Sequence, residues 1–287
     1  MRYHTPSSFE EASEIAAAAP GITRILAGGT DVLVQLRADI VEPDDLIDIK
    51  RISGTGDITR SDDGGWVIGA AVPGVSLSEH AALCADWPGV VEGMALVGST
   101  QVQGRATLTG NLCNGSPAAD SVPGMIAAGA EVSVVGPQGP RRIAIESVPV
   151  GPGKISLAKG EIVTAIHLPS RGAQGGDAYE RFIPRTEMDI AVVGVAVNLR
   201  RDGATITEAR VAIGAVAPTP LLVPEAGAAL VGSTLDDASL AALSEAVSAA
   251  CNPIDDKRGT IEFRTHVAGV LAKRVARTAY DRAGDAK

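Results

Sequence analysis

The sequence predicts an α+β fold with two domains. The first fifty residues show a β-α-β pattern, and residues 52–168 mix short strands with helices. After a glycine-rich segment at 169–176, three apolar runs precede three helical stretches. Strands followed by helices are typical of an α+β module. At 287 residues the chain is long enough for two domains and a substantial core.

The first fifty residues predict a small β-α-β unit. Apolar residues recur at helical spacing from Ser8 onward, and Glu11 lies at the position that completes a capping box. Pro20 and Gly21 end this helix. The remaining predicted elements are a strand over 22–27, a turn at Gly28-Gly29, a helix over 32–36 capped by Thr30 or Asp31, and a strand over 46–49.

The middle of the chain predicts a larger mixed lobe. A turn at 62–65 before the apolar run 66–69 indicates a hairpin. The other predicted elements are helices over 76–84, 89–96 and 122–130 and strands over 131–135, 141–145 and 161–168. Periodicity stops within residues 169–176. We therefore expect one domain at 1–172, with lobes at about 1–55 and 56–172, and a second at 173–287.

The second domain predicts a three-stranded antiparallel sheet followed by helices. The strand runs are 178–183, 190–199 and 208–216, and the last two flank a turn at 201–203. The helices are expected at about 224–230, 237–250 and 261–282.

Composition excludes several classes of protein. A net charge of −9 argues against nucleic acid as the main partner. There is neither an apolar run long enough to form a transmembrane helix nor an N-terminal signal segment, so we expect a cytoplasmic protein. Three cysteines without paired spacing predict reduced thiols and no metal site. Cys113 is interpreted as a buried inert thiol, with proximity to a ligand as the alternative.

Two polar stretches are the candidate functional segments. Residues 105–120 are rich in Gly, Asn, Ser and Thr, which predicts a long irregular loop with a function; an ordinary surface loop is the alternative. Upstream, residues 23–31 predict a strand that leads through Gly28-Gly29 into a helix. Backbone N–H groups at such a junction can hold a phosphate. The signal is weak alone, and neither the dinucleotide fingerprint nor the P-loop is present.

Taken together, these stretches resemble the FAD-binding (medium) subunit of molybdenum hydroxylases. This family includes the medium subunit of carbon monoxide dehydrogenase and the FAD subunit of xanthine dehydrogenase. The motifs that carry the resemblance are Ala27-Gly-Gly-Thr-Asp31, Thr107-Leu-Thr-Gly-Asn111, Asn114-Gly-Ser-Pro-Ala-Ala-Asp120, Arg185-Thr-Glu-Met-Asp-Ile-Ala191, Ala215-Val-Ala-Pro-Thr-Pro220 and Arg264-Thr-His-Val-Ala-Gly269. They span nearly the whole chain.

The resemblance implies a fold and a set of cofactor-binding residues. The fold is a two-lobed FAD-binding domain of the vanillyl-alcohol-oxidase (PCMH) type, followed by a C-terminal domain of the carbon monoxide dehydrogenase flavoprotein type. The implied residues are Ala27, Gly28, Gly29, Thr30 and Asp31 at the pyrophosphate, Thr107, Gly110 and Asn111 on the second side of the cofactor, Asp120 as an acceptor from ribose or nearby backbone, and Arg181 near the flavin. For Arg181 an ordinary ion pair is the alternative. FAD is expected to be bound without a covalent link.

Thr109 departs from the family pattern, which usually has glycine at this position. A β-branched residue would be strained if the backbone has a positive φ. If the backbone is extended instead, the threonine costs little and its hydroxyl can add a cofactor contact.

The resemblance implies an electron-transfer role with no catalytic residue in this chain. Substrate is expected to react at a molybdopterin in a large subunit, and electrons to pass through [2Fe-2S] clusters of a small subunit to the FAD and then to an external acceptor. The expected assembly is (αβγ)2. The alternatives are a self-sufficient flavin oxidase and a non-catalytic scaffold that lacks FAD.

Overall fold

The computed structural model describes residues 1–285 and begins with a three-stranded parallel sheet. Its elements are β1 (Arg2–His4), α1 (Phe9–Ala18), β2 (Thr23–Leu26), α2 (Val32–Arg37) and β3 (Asp45–Asp48). The strand order is β1-β3-β2, with Thr23 paired to Asp45. The first lobe is therefore the predicted β-α-β unit with one further strand at the N-terminus.

The N-termini of the two helices in this lobe are capped differently. Ser8 Oγ accepts the Glu11 N–H at 3.1 Å, which confirms the predicted cap, although the Glu11 carboxylate reaches back to the Ser7 N–H at 2.7 Å. The predicted cap of α2 is wrong: Asp31 stands at the N-cap position in helical backbone, and its side chain makes no capping bond. The Asp31 carboxylate accepts instead from Asn114 Nδ2 at 3.2 Å.

The second lobe contains a five-stranded antiparallel sheet in the order β4-β5-β10-β6-β7. Its elements are β4 (Ile58–Arg60), β5 (Trp66–Gly69), α3 (Gly74–Ser78), α4 (Ala81–Asp86), α5 (Pro88–Ala95), α6 (Thr100–Gln103), α7 (Leu108–Cys113), α8 (Ser121–Ala128), β6 (Glu131–Gly136), β7 (Gly139–Ala144), a 3₁₀ turn (Ile145–Ser147), β8 (Pro149–Gly151), β9 (Lys154–Ile155) and β10 (Ile162–Leu168). Strands β8 and β9 form a separate two-stranded ribbon.

Two predictions in this lobe are corrected. The single helix expected over 76–84 is two helices, because His80 Nδ1 accepts the Leu83 N–H at 3.2 Å and starts a new helix there. The polar stretch 105–120 is not irregular throughout. It contains α7, which forms because Thr107 Oγ1 accepts the Gly110 N–H at 2.9 Å while Leu108 and Leu112 are buried in the core.

The C-terminal part is a four-stranded antiparallel sheet covered by helices. Its elements are β11 (Gly175–Phe182), β12 (Val193–Asp202), β13 (Thr205–Gly214), β14 (Leu221–Leu222), α9 (Pro224–Ala228), α10 (Asp237–Ala250) and α11 (Ile261–Asp285), with strand order β11-β12-β13-β14. The predicted antiparallel arrangement is confirmed. The sequence missed β14 because two residues are too few to show alternation.

Both faces of this sheet are buried. Along β12, Val195 and Val197 pack in the core beneath α10 and α11, whereas Ala196 between them packs with α8 in the second lobe. A sheet covered on both sides explains why this strand reads as one apolar run instead of an alternating pattern. The same contact joins the C-terminal sheet to the lobe that carries α7. Within residues 1–285 no helix is long and apolar enough to cross a bilayer.

Candidate functional site

A cavity of about 600 Å³ lies where the two lobes meet. Its walls come from β2 and the turn after it, from α2, from α7, and from residues 153–163. Nine of the eleven predicted cofactor-binding residues line it: Ala27, Gly28, Gly29, Thr30, Asp31, Thr107, Thr109, Gly110 and Asn111. Folding thus brings together two motifs that lie about eighty residues apart in the sequence.

The glycine turn is in backbone contact with the start of the second motif. A Cβ on Gly28 would lie 1.9 Å from the Arg105 carbonyl oxygen, so no side chain fits there. Gly29 has φ +84°, the left-handed region that favours glycine. The two positions therefore require glycine for different reasons. Gly28 permits close approach of two backbones, and Gly29 allows the turn into α2.

The N-terminal residues of α2 and α7 both border the cavity. Backbone N–H groups in the first turn of a helix have no acceptor within that helix. Only the Gly110 N–H of α7 is taken by a cap, from Thr107. Two acidic residues, Asp31 and Glu161, line the cavity. Partial desolvation raises the pKa of Asp31, whereas Glu161 is paired with Arg141 at 2.7 Å. The Asn114 amide that bonds Asp31 holds this carboxylate in place.

Thr109 is unstrained. It lies in α7 and is absent from the residues with positive φ, so the position needs no glycine. Its hydroxyl donates to the Ala70 carbonyl oxygen at 2.5 Å and lies 3.2 Å from Thr107 Oγ1. The hydroxyl proton of Thr109 is therefore already used in a hydrogen bond within the protein. Thr109 ties α7 to the segment that follows β5.

Asn111 links α7 to α8. Its Oδ1 accepts from the Ser121 N–H at 3.2 Å and from the Ser121 hydroxyl at 2.7 Å. This side chain therefore sets the distance between the cavity wall and the helix that contacts the C-terminal sheet.

The remaining two predicted residues, Asp120 and Arg181, lie away from the cavity lining and bind each other. Arg181 Nη1 donates to Asp120 Oδ2 at 2.5 Å, and the Tyr179 hydroxyl donates to Asp120 Oδ1 at 3.0 Å. The side chains of Arg181 and Asp120 are 4% and 9% exposed. Among residues 1–285 the Asp120 carboxylate therefore bonds two side chains of β11, and Arg181 forms the ion pair given as its alternative role. The expected contacts of Asp120 and Arg181 with the cofactor stay predictions.

Burial has a strong effect on the Asp120 carboxyl. Desolvation raises its pKa to about 6, while the Arg181 charge and the two hydrogen bonds act in the opposite direction. Arg181 Nε is also buried, without a partner among residues 1–285. This cluster, formed by Asp120, Tyr179 and Arg181, fastens the C-terminal sheet to the start of α8.

Sequence reasoning missed part of the cavity wall. Three consecutive residues of β2, Thr23, Arg24 and Ile25, line it, and their only signal was their place in the strand that leads to the glycine turn. Lys159 and Gly160 also line it, and nothing in their local sequence indicated this. Cys113 borders the cavity as well, and burial raises its pKa to about 12, which keeps the thiol protonated.

Comparison with known families and proteins shows similarity over nearly the whole chain. Residues 1–171 match the family described as FAD binding domain in molybdopterin dehydrogenase, and residues 178–279 match the CO dehydrogenase flavoprotein C-terminal domain. The chain is 32% identical to the xanthine dehydrogenase FAD-binding subunit of Escherichia coli O157:H7, covering 98% of this chain and 97% of that protein. It is 33% identical to the carbon monoxide dehydrogenase medium chain of Afipia carboxidovorans, with coverage of 98% and 97%.

Solved structures of related enzymes have the same fold. A carbon monoxide dehydrogenase chain from Hydrogenophaga pseudoflava superposes with a TM-score of 0.94 at 32% identity, covering 98% of both chains. Quinoline 2-oxidoreductase from Pseudomonas putida 86 gives a TM-score of 0.89 at 25% identity, with coverage of 99% and 98%.

Proposed function

Since the chain belongs to the family of FAD-binding subunits of molybdenum hydroxylases, we propose that it is the electron outlet of such a complex. It is an oxidoreductase subunit with FAD as its cofactor. The observation that carries the proposal is the cavity between the lobes, where the glycine turn meets the second motif. The predicted PCMH-type fold and C-terminal domain agree with the family and with its solved structures.

The residues of the cavity fit a dinucleotide. Gly28 and Gly29 leave room for a phosphate to approach the backbone, and N–H groups at the starts of α2 and α7 suit its negative charge. Residues 27–31 would hold the pyrophosphate, and Thr107, Gly110 and Asn111 the opposite side of the cofactor. Bound FAD supplies the redox chemistry. Because residues 27–31 contain neither histidine nor cysteine, we expect the cofactor to be held without a covalent bond.

The partners follow from the relatives and from the cysteine count. The relatives from Hydrogenophaga pseudoflava and Afipia carboxidovorans are called medium chains. We propose that this chain assembles with a large molybdopterin-binding subunit and a small [2Fe-2S] subunit, as (αβγ)2, in the cytoplasm. Each [2Fe-2S] cluster needs about four cysteines. Three cysteines cannot supply two clusters, so electrons arrive from the partner and leave to an external acceptor.

The domain division belongs to the same proposal. The change of sheet lies between β10, which ends at Leu168, and β11, which starts at Gly175. A boundary at 172/173 falls in this connection. The lobe boundary near residue 55 falls between the parallel sheet and β4.

Electron transfer from the small subunit tests the function. The purified complex should contain one FAD per copy of this chain. Small subunit reduced with dithionite and then desalted, when mixed with the oxidised flavoprotein chain, should bleach the flavin absorbance while the cluster absorbance returns. Flavin that stays oxidised in this experiment would refute the electron-outlet role.

The same preparations separate the two alternatives. A self-sufficient oxidase would show flavin reduction by a small organic substrate with no partner subunit present. A scaffold subunit would copurify with its partners but show no flavin bands.

A further inference from the structure

We propose that the helix α2 is a lid of the cavity and that the Asn114 side chain holds this lid closed. This role of α2 rests on the FAD-binding function proposed above, since it concerns how a flavin enters and leaves. Asn114 is a positioning residue, because it acts on the cofactor site through α2.

The helix α2 packs weakly on the rest of the protein. None of its six residues, Val32–Arg37, is buried, and the side chains of Leu33 and Val34 are at the surface, with 49% and 62% of these residues exposed. By contrast, α1 of the same lobe buries three residues. Segments with few buried apolar side chains open at a lower free-energy cost than the whole fold. Since Val32 and Gln35 line the cavity, a movement of α2 would open its wall.

The hydrogen bonds of α2 are local except at one side chain. The backbone bonds at its two ends stay within residues 29–40, as from the Leu33 N–H to the Gly29 carbonyl oxygen at 3.0 Å. Within residues 1–285, the side chains of residues 31–38 bond one other side chain, that of Asn114. Asn114 Nδ2 donates to Asp31 Oδ1 at 3.2 Å, and Gln35 Nε2 donates to Asn114 Oδ1 at 3.4 Å. One amide group thus contacts the N-cap residue of α2 and a residue one turn later.

Asn114 itself belongs to a firmly packed part of the second lobe. It is the C-cap residue of α7, where its backbone N–H donates to the Gly110 carbonyl oxygen at 3.0 Å. The helix α7 is fixed in turn by the buried side chains of Leu108 and Leu112. The Asn114 amide therefore joins a weakly packed helix of one lobe to a firmly packed helix of the other.

The position of α2 would control the exchange of flavin between the cavity and solution. When the two Asn114 bonds break, α2 can move away with little exposure of apolar surface, because it has no buried side chain. Opening therefore costs mainly the free energy of these hydrogen bonds. FAD would enter and leave through the open form. The binding rate and the release rate would then both depend on the fraction of molecules in which α2 is open.

Amide hydrogen exchange in the flavin-free, full-length chain measures this opening. Asn114→Ala removes both side-chain bonds, and we expect the amides of residues 33–38 to exchange about five- to tenfold faster, the effect of about one net hydrogen bond. The amides of α1 should exchange as in the wild type. Asn252→Ala is the matched control: it changes an exposed asparagine outside the cavity lining and should leave exchange in α2 unchanged.

An exchange of the two side chains tests the contact itself. Asn114→Asp alone places a second carboxylate against Asp31, so the like charges repel and α2 should exchange faster than in Asn114→Ala. Adding Asp31→Asn restores the hydrogen bond with donor and acceptor exchanged. Protection of α2 should then return to within about twofold of the wild type, as coupling between the two positions requires. Asp31 makes no N-cap hydrogen bond that this change would remove.

The rates of flavin exchange in the purified complex connect the lid to the cofactor. In Asn114→Ala we expect release and binding of FAD both to be about five- to tenfold faster than in the wild type, so that the affinity changes less than either rate. A side chain that only contacted the cofactor would instead alter the release rate alone. Stopped-flow flavin fluorescence measures both rates.

Three results would overturn the role of Asn114 and α2. They are unchanged exchange of residues 33–38 in Asn114→Ala, no recovery of protection in the double variant, and faster release of FAD without faster binding. A wild-type complex that holds no flavin would refute the proposed function instead, whereas exchange in the flavin-free chain would still decide whether Asn114 holds α2.

Discussion

The cavity and the Asp120 cluster share one polar stretch, residues 105–120, but their polar groups find different partners. At the cavity, the Gly28 backbone packs against the Arg105 carbonyl group, and the Thr23 hydroxyl has no hydrogen-bond partner among residues 1–285. In the cluster, both oxygens of Asp120 accept hydrogen bonds from β11. The comparison shows that the two ends of one polar stretch face different parts of the fold: Thr107 and Asn111 border the cavity, whereas Asp120 bonds the C-terminal sheet.

This difference has a physical basis in burial and charge. Asp120 and Arg181 are almost fully buried, so each charge depends on the other. The cavity instead presents N–H groups and small residues, which suit an anion that arrives from solution. Variants of the Asp120 cluster should therefore change the stability of the fold, whereas variants of the cavity should change flavin binding.

The largest effect is expected when the buried ion pair loses one charge. Asp120→Asn preserves shape but leaves Arg181 buried without a counter-charge. We expect the free energy of unfolding to fall by about 3–5 kcal/mol, measured by urea denaturation of the flavin-free chain.

Glu208→Gln provides the control for this prediction. It removes the exposed ion pair with Arg200; the Arg200 and Glu208 side chains are 45% and 66% exposed. The free energy of unfolding should fall by at most about 1 kcal/mol. Equal losses in the two variants would show that the Asp120 cluster does not fasten the domains.

The next effect concerns the contact between the two motifs. Gly28→Ala places a methyl group 1.9 Å from the Arg105 carbonyl oxygen, a clash that only backbone displacement can relieve. FAD should bind at least about 100-fold more weakly, equivalent to about 2.7 kcal/mol. Flavin content after purification and fluorescence titration measure it.

Gly56→Ala is the matched substitution, since a Cβ there meets nothing within 4 Å and its φ is not positive. Wild-type flavin content in Gly28→Ala would mean that the close approach at this turn is not needed for binding.

The sequence predicted the elements that depend on local pattern. The helix start at Ser8, the glycine turn and the antiparallel strands of the C-terminal sheet all follow from residue spacing and turn residues. It could not predict that Asp120 faces Tyr179 and Arg181, because that contact joins residues about sixty positions apart across a domain interface. It also missed Lys159 and Gly160, whose place in the cavity depends on how α1 packs on the β10 side.

The helix α7 shows how composition alone misled. Gly, Asn and Thr favour turns, so residues 105–120 were expected to be irregular throughout. The Thr107 cap and the burial of Leu108 and Leu112 outweigh those preferences. Tertiary packing decided the local structure here.

A smaller effect is expected from the tether between α7 and the segment after β5. Thr109→Val leaves the Ala70 carbonyl oxygen without its partner, so the free energy of unfolding should fall by about 1–2 kcal/mol. Because this hydroxyl bonds the protein, FAD affinity should change much less than stability. Thr207→Val, which removes an exposed hydroxyl on β13, should change stability by less than about 0.5 kcal/mol. A Thr109→Val variant with intact stability but weak FAD binding would reassign the hydroxyl to the cofactor.

The smallest effect concerns the thiol beside the cavity. Burial raises the pKa of Cys113 to about 12, so almost no thiolate exists at pH 8, and the thiolate is the reactive form. In the flavin-free chain Cys113 should therefore react with a disulfide reagent such as DTNB more slowly than Cys84, a half-buried thiol that does not line the cavity. Labelling followed by peptide mass analysis separates the two sites. Fast labelling of Cys113 that added FAD then blocks would show instead that this end of the cavity opens to solvent, and would place the thiol at the cofactor.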